Sequence, residues 1–100
     1  MERNQNYVEL WGVAAGEPVF SHENHTRRFD KFPLRVERLS GQSDVPVIVA
    51  SEALLRVCPV EEGQSLRIVG QLRSFNNRQS TGRRLVISVF AESLQTCDGE

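Results

Sequence analysis

Apolar and polar residues alternate along most of the chain, the two-residue period of half-buried β-strands, while helical periodicity hardly appears. A first strand is predicted over about 7–13, with Val8, Leu10 and Gly12 on one face and Tyr7, Glu9, Trp11 and Val13 on the other. Gly16-Glu17-Pro18 bends the chain, and Val19–His22 continues it as a short extended piece. A second strand over about 26–39 turns Phe32, Leu34 and Val36 toward a core and Phe29, Lys31, Pro33, Arg35 and Glu37 away from it. Pro33 has no N–H to give to a ladder, which puts this strand at an edge or at a bulge. After the turn-rich stretch Ser40–Asp44, a third strand, Val45–Ala50, is apolar on both sides apart from Pro46. Ser51–Val57 is the one helical segment, capped by Ser51 and ended by Pro59. Glu62-Gly63 turns into a fourth strand, Ser65–Phe75, where Leu66, Ile68 and Leu72 oppose Arg67, Arg73 and Phe75. A polar loop, 76–83, leads to a fifth strand, Arg84–Ala91, and residues 95–100 are expected to fray. Phe20 and Phe32 are assigned to the core, and the side of Phe90 is left open.

Five strands with a short helix or turn between the third and fourth predict an all-β OB-fold, a five-stranded Greek-key barrel. One hundred residues suit a single domain with its core at about 6–94 and short flexible ends.

Charge sharpens this picture. The formal net charge is −1, yet residues 63–91 hold five arginines and no acid, and residues 27–38 carry +3. Eleven of the twelve basic residues are arginine, whose planar fork suits phosphates and base faces. The bland reading is chance segregation on solvated strands. Against it, both basic blocks fall where an OB barrel binds oligonucleotides, on its second strand and on the hairpin joining its last two. Single strands are held by cations for the phosphates and flat rings for the bases. The candidate contacts are Arg27, Arg28, Lys31, Arg35, Arg67, Arg73, Arg78, Arg83 and Arg84 for phosphates, Asn77 beside them, and Phe29 and Phe75 for stacking.

Other chemistries find little support. His22 and His25 stand three apart without two further metal ligands nearby. Cys58 and Cys97 have no metal or redox spacing, and no nucleophile elbow or phosphate-binding glycine motif occurs. No enzyme activity, cofactor or metal is expected. The first residues have no apolar secretory core and no run is long enough to span a bilayer, so a cytoplasmic, nucleoid-associated protein without membrane contact is expected.

Four stretches carry a resemblance. They are Asn6–Gly12, with Asn6, Val8, Leu10 and Gly12; Phe32–Arg38; Glu62–Arg73, with Gly63, Gly70, Leu72 and Arg73; and Val86–Leu94. In order and spacing they resemble the bacterial single-stranded DNA-binding protein (SSB) family over about residues 6–94. The resemblance implies non-sequence-specific binding of single-stranded DNA in replication, repair or recombination, by a homodimer or homotetramer often joined through its first strands. Two departures stand out. The chain stops at Thr96–Glu100 without the family's long acidic-tipped tail, and Asp44 and Asn77 fall near positions where tryptophans are usual. A short, tail-less form also resembles the primosomal replication protein N group. An OB-fold adaptor that binds a replication protein, and an RNA-binding OB domain, remain as alternatives.

Overall fold

The computed structural model describes the backbone of residues 5–79 and 82–97, and the side chains of all of these except 75–79 and 82–86. Its elements are β1 (Val8–Ala14), β2 (Val19–Asn24), β3 (Arg27–Glu37), β4 (Ser43–Asp44), β5 (Val47–Ser51), α1 (Glu52–Val57), β6 (Ser65–Gln79) and β7 (Gly82–Thr96). Five of the strands close on themselves: β1 pairs with β6, β6 with β7, β7 with β5, β5 with β3, and β3 with β1. Only the β5–β7 pair is parallel, matching Ile48 with Val89 and Val49 with Phe90. This ring, with α1 between β5 and β6, is the five-stranded OB barrel. β2 adds to β3 outside the ring, and β4 is a two-residue bridge to Val36 and Glu37.

The alternating positions fill the barrel. Phe32, Leu34, Ile48, Leu66 and Ile68 are fully buried, joined by Ala14, Ala50, Val60, Val89 and Ala91. Leu54 and Leu55 of α1 pack against this core. The helix starts at Ser51, whose hydroxyl accepts the Leu54 N–H at 3.1 Å, as its position in the sequence predicts.

Four expectations change. Phe20 is exposed rather than core, because its part of β2 lies beyond the barrel; the Arg28 guanidinium sits 5.1 Å from its ring centre. The predicted third strand splits at Pro46 into β4 and β5, and the Pro46 carbonyl accepts from Leu34 at 3.0 Å. The expected polar loop 76–83 is mostly ladder, paired from Asn76 with Leu85 to Gln79 with Gly82. The last strand runs on to Thr96 against Leu66, followed by a Cys97 N–H bond to Ser65 at 2.9 Å, so residues 95–97 are held.

One irregularity shapes the outer surface. Between β6 and β7 the register passes from Val69 opposite Ser93 to Gly70 opposite Ala91, which leaves Glu92 as an extra residue. Such a bulge re-aims the side chains beyond it. A Cβ on Gly70 would overlap the Phe90 carbonyl, so the bulge requires glycine there.

Candidate nucleic-acid interface

Two hairpins leave the barrel beyond its closed ladders. One is β2 with the start of β3; the other is the far part of β6 and β7. Between them, the outer face of the barrel forms rows across the strands. Lys31 pairs with Val49, Val49 with Phe90, and Phe90 with Gln71. The neighbouring positions are His22 beside Phe29, and Ser88 beside Arg73.

Rings gather on this face. The imidazole of His22 stacks on Phe29 with centres 4.9 Å apart and planes 14° from parallel, and Phe29 meets Phe90 at 5.5 Å, tilted by 47°. The Arg73 guanidinium lies 4.6 Å from the Phe90 ring centre. A cleft of about 210 Å³ opens here, lined by His22, Val49, Arg73, Ser74, Ser88 and Phe90. An apolar, aromatic floor with a cation, Arg73, at its edge is what an unpaired base and its phosphate require.

The structure sorts the sequence candidates. Phe29, Lys31 and Arg73 share this face. Phe29, expected to offer an open ring, is only 8% exposed because His22 covers it. Arg35 is exposed further along β3, opposite Val13. Arg27 stands at the β2–β3 tip, beside a cleft of about 410 Å³ that it shares with Thr26, Arg28, Ser51, Glu52, Ala53 and Arg56. Arg28 is engaged by Asp30 at 2.9 Å; that hydrogen bond, then the carboxylate's charge, raises its guanidinium pKa. Arg67 belongs to a different cluster. It is bound to Glu9 at 2.7 Å and lies 5.6 Å from the Trp11 ring centre, about 20 Å along β6 from Arg73. Lys31, Arg27, Arg35 and Arg73 have no ion-pair partner among the described residues. Phe75, Asn77, Arg78, Arg83 and Arg84 follow on the β6–β7 hairpin by backbone register, and their side chains lie outside the described residues.

Sequence reasoning did not select His22, Gln71, Val49 or Phe90. By sequence His22 is one of two surface histidines short of a metal's ligand set; among the described residues no three His, Cys, Asp or Glu side chains lie close enough to hold a metal ion. Its neighbour across the ladder, Phe29, is the signal that gives it another role. No helix among the described residues is long and apolar enough to cross a membrane.

The ring order, the parallel β5–β7 pair and the two projecting hairpins define an OB-fold protein of the kind that carries an oligonucleotide face. Neither a family model nor a curated protein sequence matches the chain. Solved structures do. A dimeric structure of the N-terminal domain of PriB protein from Thermoanaerobacter tencongensis is 35% identical, covers 94% of this chain and 98% of its own, and superposes with a TM-score of 0.81. The small single-stranded DNA-binding protein from Streptomyces coelicolor, 15% identical over 95% of this chain and 96% of its own, shares the fold at a TM-score of 0.70. The chain belongs to the SSB/PriB family.

Proposed function

We propose that this protein binds single-stranded DNA without strong sequence preference, as a non-enzymatic cytoplasmic factor of replication, repair or recombination. The observation that carries the reading is the ring-and-cation face between the two hairpins, where His22, Phe90, Lys31 and Arg73 come together. On this reading Lys31, Arg35 and Arg73 attract phosphates and Phe90 and His22 take bases, with Phe29 holding His22 in place from below. The hairpin residues Phe75, Asn77, Arg78, Arg83 and Arg84, and Arg27 at the opposite tip, would extend the contact on either side. Arg28 and Arg67 contribute less, since each already holds a carboxylate.

Self-association fits the same reading. The relative named above forms a dimer. Among the described residues only Val13 and Ala14 of β1 are matched with β3, which leaves the edge of Val8–Trp11 open to a second copy.

The test is fluorescence anisotropy of a labelled oligo-dT from low to high salt. Binding that weakens steeply with salt is expected. A protein that leaves the oligomer free at micromolar concentration and low salt is not a single-strand binder. Competition with a matched RNA oligomer separates DNA from RNA preference.

A further inference from the structure

We propose that Arg73 is a removable cover on a one-base slot, and that a nucleobase and the Arg73 guanidinium exchange places on the ring of Phe90. The inference rests on the single-strand reading above and assigns Arg73 two opposing roles within it.

The free protein holds Arg73 where a base would lie. Its guanidinium is 4.6 Å from the Phe90 centre, a stacking distance for a flat group. Beneath and beside it are Ser88 and Val49, both at most 5% exposed, and the far wall is His22 on Phe29. The slot of about 210 Å³ is therefore lined with rings and hydroxyls, and Arg73 forms part of its wall.

Arg73 is held there weakly. Among the described residues no carboxylate pairs with it, and its one side-chain hydrogen bond is from Nε to the Gln71 amide oxygen at 3.2 Å. The nearby carboxylate of Glu92 is taken by Gln71 at 2.8 Å. A cation on an exposed ring is worth a factor of about two to five, whereas a stacked base is worth about five-fold or more. A base arriving with its phosphate can therefore displace the guanidinium from the ring and give it an anion to bind. The exchange makes the phosphate contact and the loss of the cover parts of one event.

The two roles separate with salt. A phosphate contact is screened as salt rises, but the cover on Phe90 must be removed at any salt. Oligo-dT binding should therefore be followed by anisotropy from about 50 mM to 500 mM salt, for wild type, Arg73→Ala and Phe90→Leu. Arg73 is exposed, and leucine keeps Phe90 apolar, so both variants should fold. The expected Arg73→Ala line is shallower by about 0.7 in log K against log salt. It starts below wild type at low salt and crosses it, ending up to about three-fold tighter at high salt. Phe90→Leu should lower affinity about five-fold or more at every salt. An Arg73→Ala line that approaches wild type without crossing leaves Arg73 a plain phosphate contact and overturns the cover alone. Unchanged binding by Phe90→Leu also overturns it, because the slot then has no base on that ring. If wild type binds no oligomer at low salt, the single-strand reading fails and the cover falls with it.

Discussion

Gly70 decides where Phe90 points. Counting inward and outward positions back from Ser93 without a bulge would place Ala91 outside and Phe90 in the core. The extra residue Glu92 reverses that parity, and it fits only because Gly70 presents no Cβ to the Phe90 carbonyl. Gly70→Ala should therefore cost about 2 kcal/mol or more. Thermal unfolding by circular dichroism should show a fall of roughly 10 °C for a chain of this size. A period-two reading leaves Phe90 open because the positions of its parity, Arg84, Val86 and Ser88, mix charged, apolar and polar residues, whereas Phe32, Leu34, Leu66 and Ile68 are legible as core. Other residue roles depended on partners far along the chain. Arg67 looked like part of one basic stretch until its bond to Glu9, 58 residues away, placed it in another cluster. Lys31→Ala should lower the salt slope for oligo-dT by about 0.7. Arg67→Ala should leave that slope unchanged, and anisotropy at several salt concentrations distinguishes the two. Equal losses for both variants would mean that the Glu9 bond does not withhold Arg67 from phosphate.

At the scale of elements, strand positions were legible because each barrel strand has one face in the core. The far part of the β6–β7 hairpin was not, because 76–83 is polar throughout and carries no apolar alternation. Thus 76–83 read as a loop although its backbone is largely paired. The β2–β3 arm turns through His25 and Thr26, both with positive φ, 53° and 65°. Positive φ at both central residues is the pattern of a type I′ turn, which favours Asn-Gly, and a β-branched threonine is strained there. Replacing both, His25→Asn with Thr26→Gly, should stabilise the protein by about 1 kcal/mol, measured by urea unfolding. On the opposite side, Arg38 holds Asp44 of β4 through bonds of 2.7 and 2.9 Å. The hydrogen bond, with the guanidinium charge, keeps the Asp44 carboxyl below its ordinary range. A carboxyl whose folded pKa is depressed adds stability above its unfolded value and loses it as pH falls through its folded value. Asp44→Asn should therefore lower stability at neutral pH and flatten the acid limb of a pH–stability profile, with the two proteins converging in strong acid. A constant difference down to the lowest pH would assign the bridge to packing instead.

Across the whole molecule, the two basic blocks of the sequence become surfaces only after the barrel closes. Lys31 and Arg73 come from different blocks and share one face, while Arg67, from the same block as Arg73, lies on another with Glu9 and Trp11. That second face adjoins the open edge of β1 and includes Tyr7 and Trp11, 66% and 59% exposed. An unpaired strand edge beside exposed rings is a surface that a second copy can cover by continuing the sheet. Keeping Arg67 on Glu9 there has a purpose under this arrangement, since an unpaired charge would be costly once covered. Sedimentation equilibrium should then give at least twice the 11.3 kDa chain mass. Trp11→Arg, which sets a second guanidinium beside Arg67, should return the protein to single-chain mass. Because Trp11 is the sole tryptophan, its emission should also move to shorter wavelength as protein concentration rises. If oligo-dT binding per chain survives in the Trp11→Arg monomer, the ring-and-cation face is complete within one copy and association serves to join such faces. If it is lost while the fold persists, the site needs both copies.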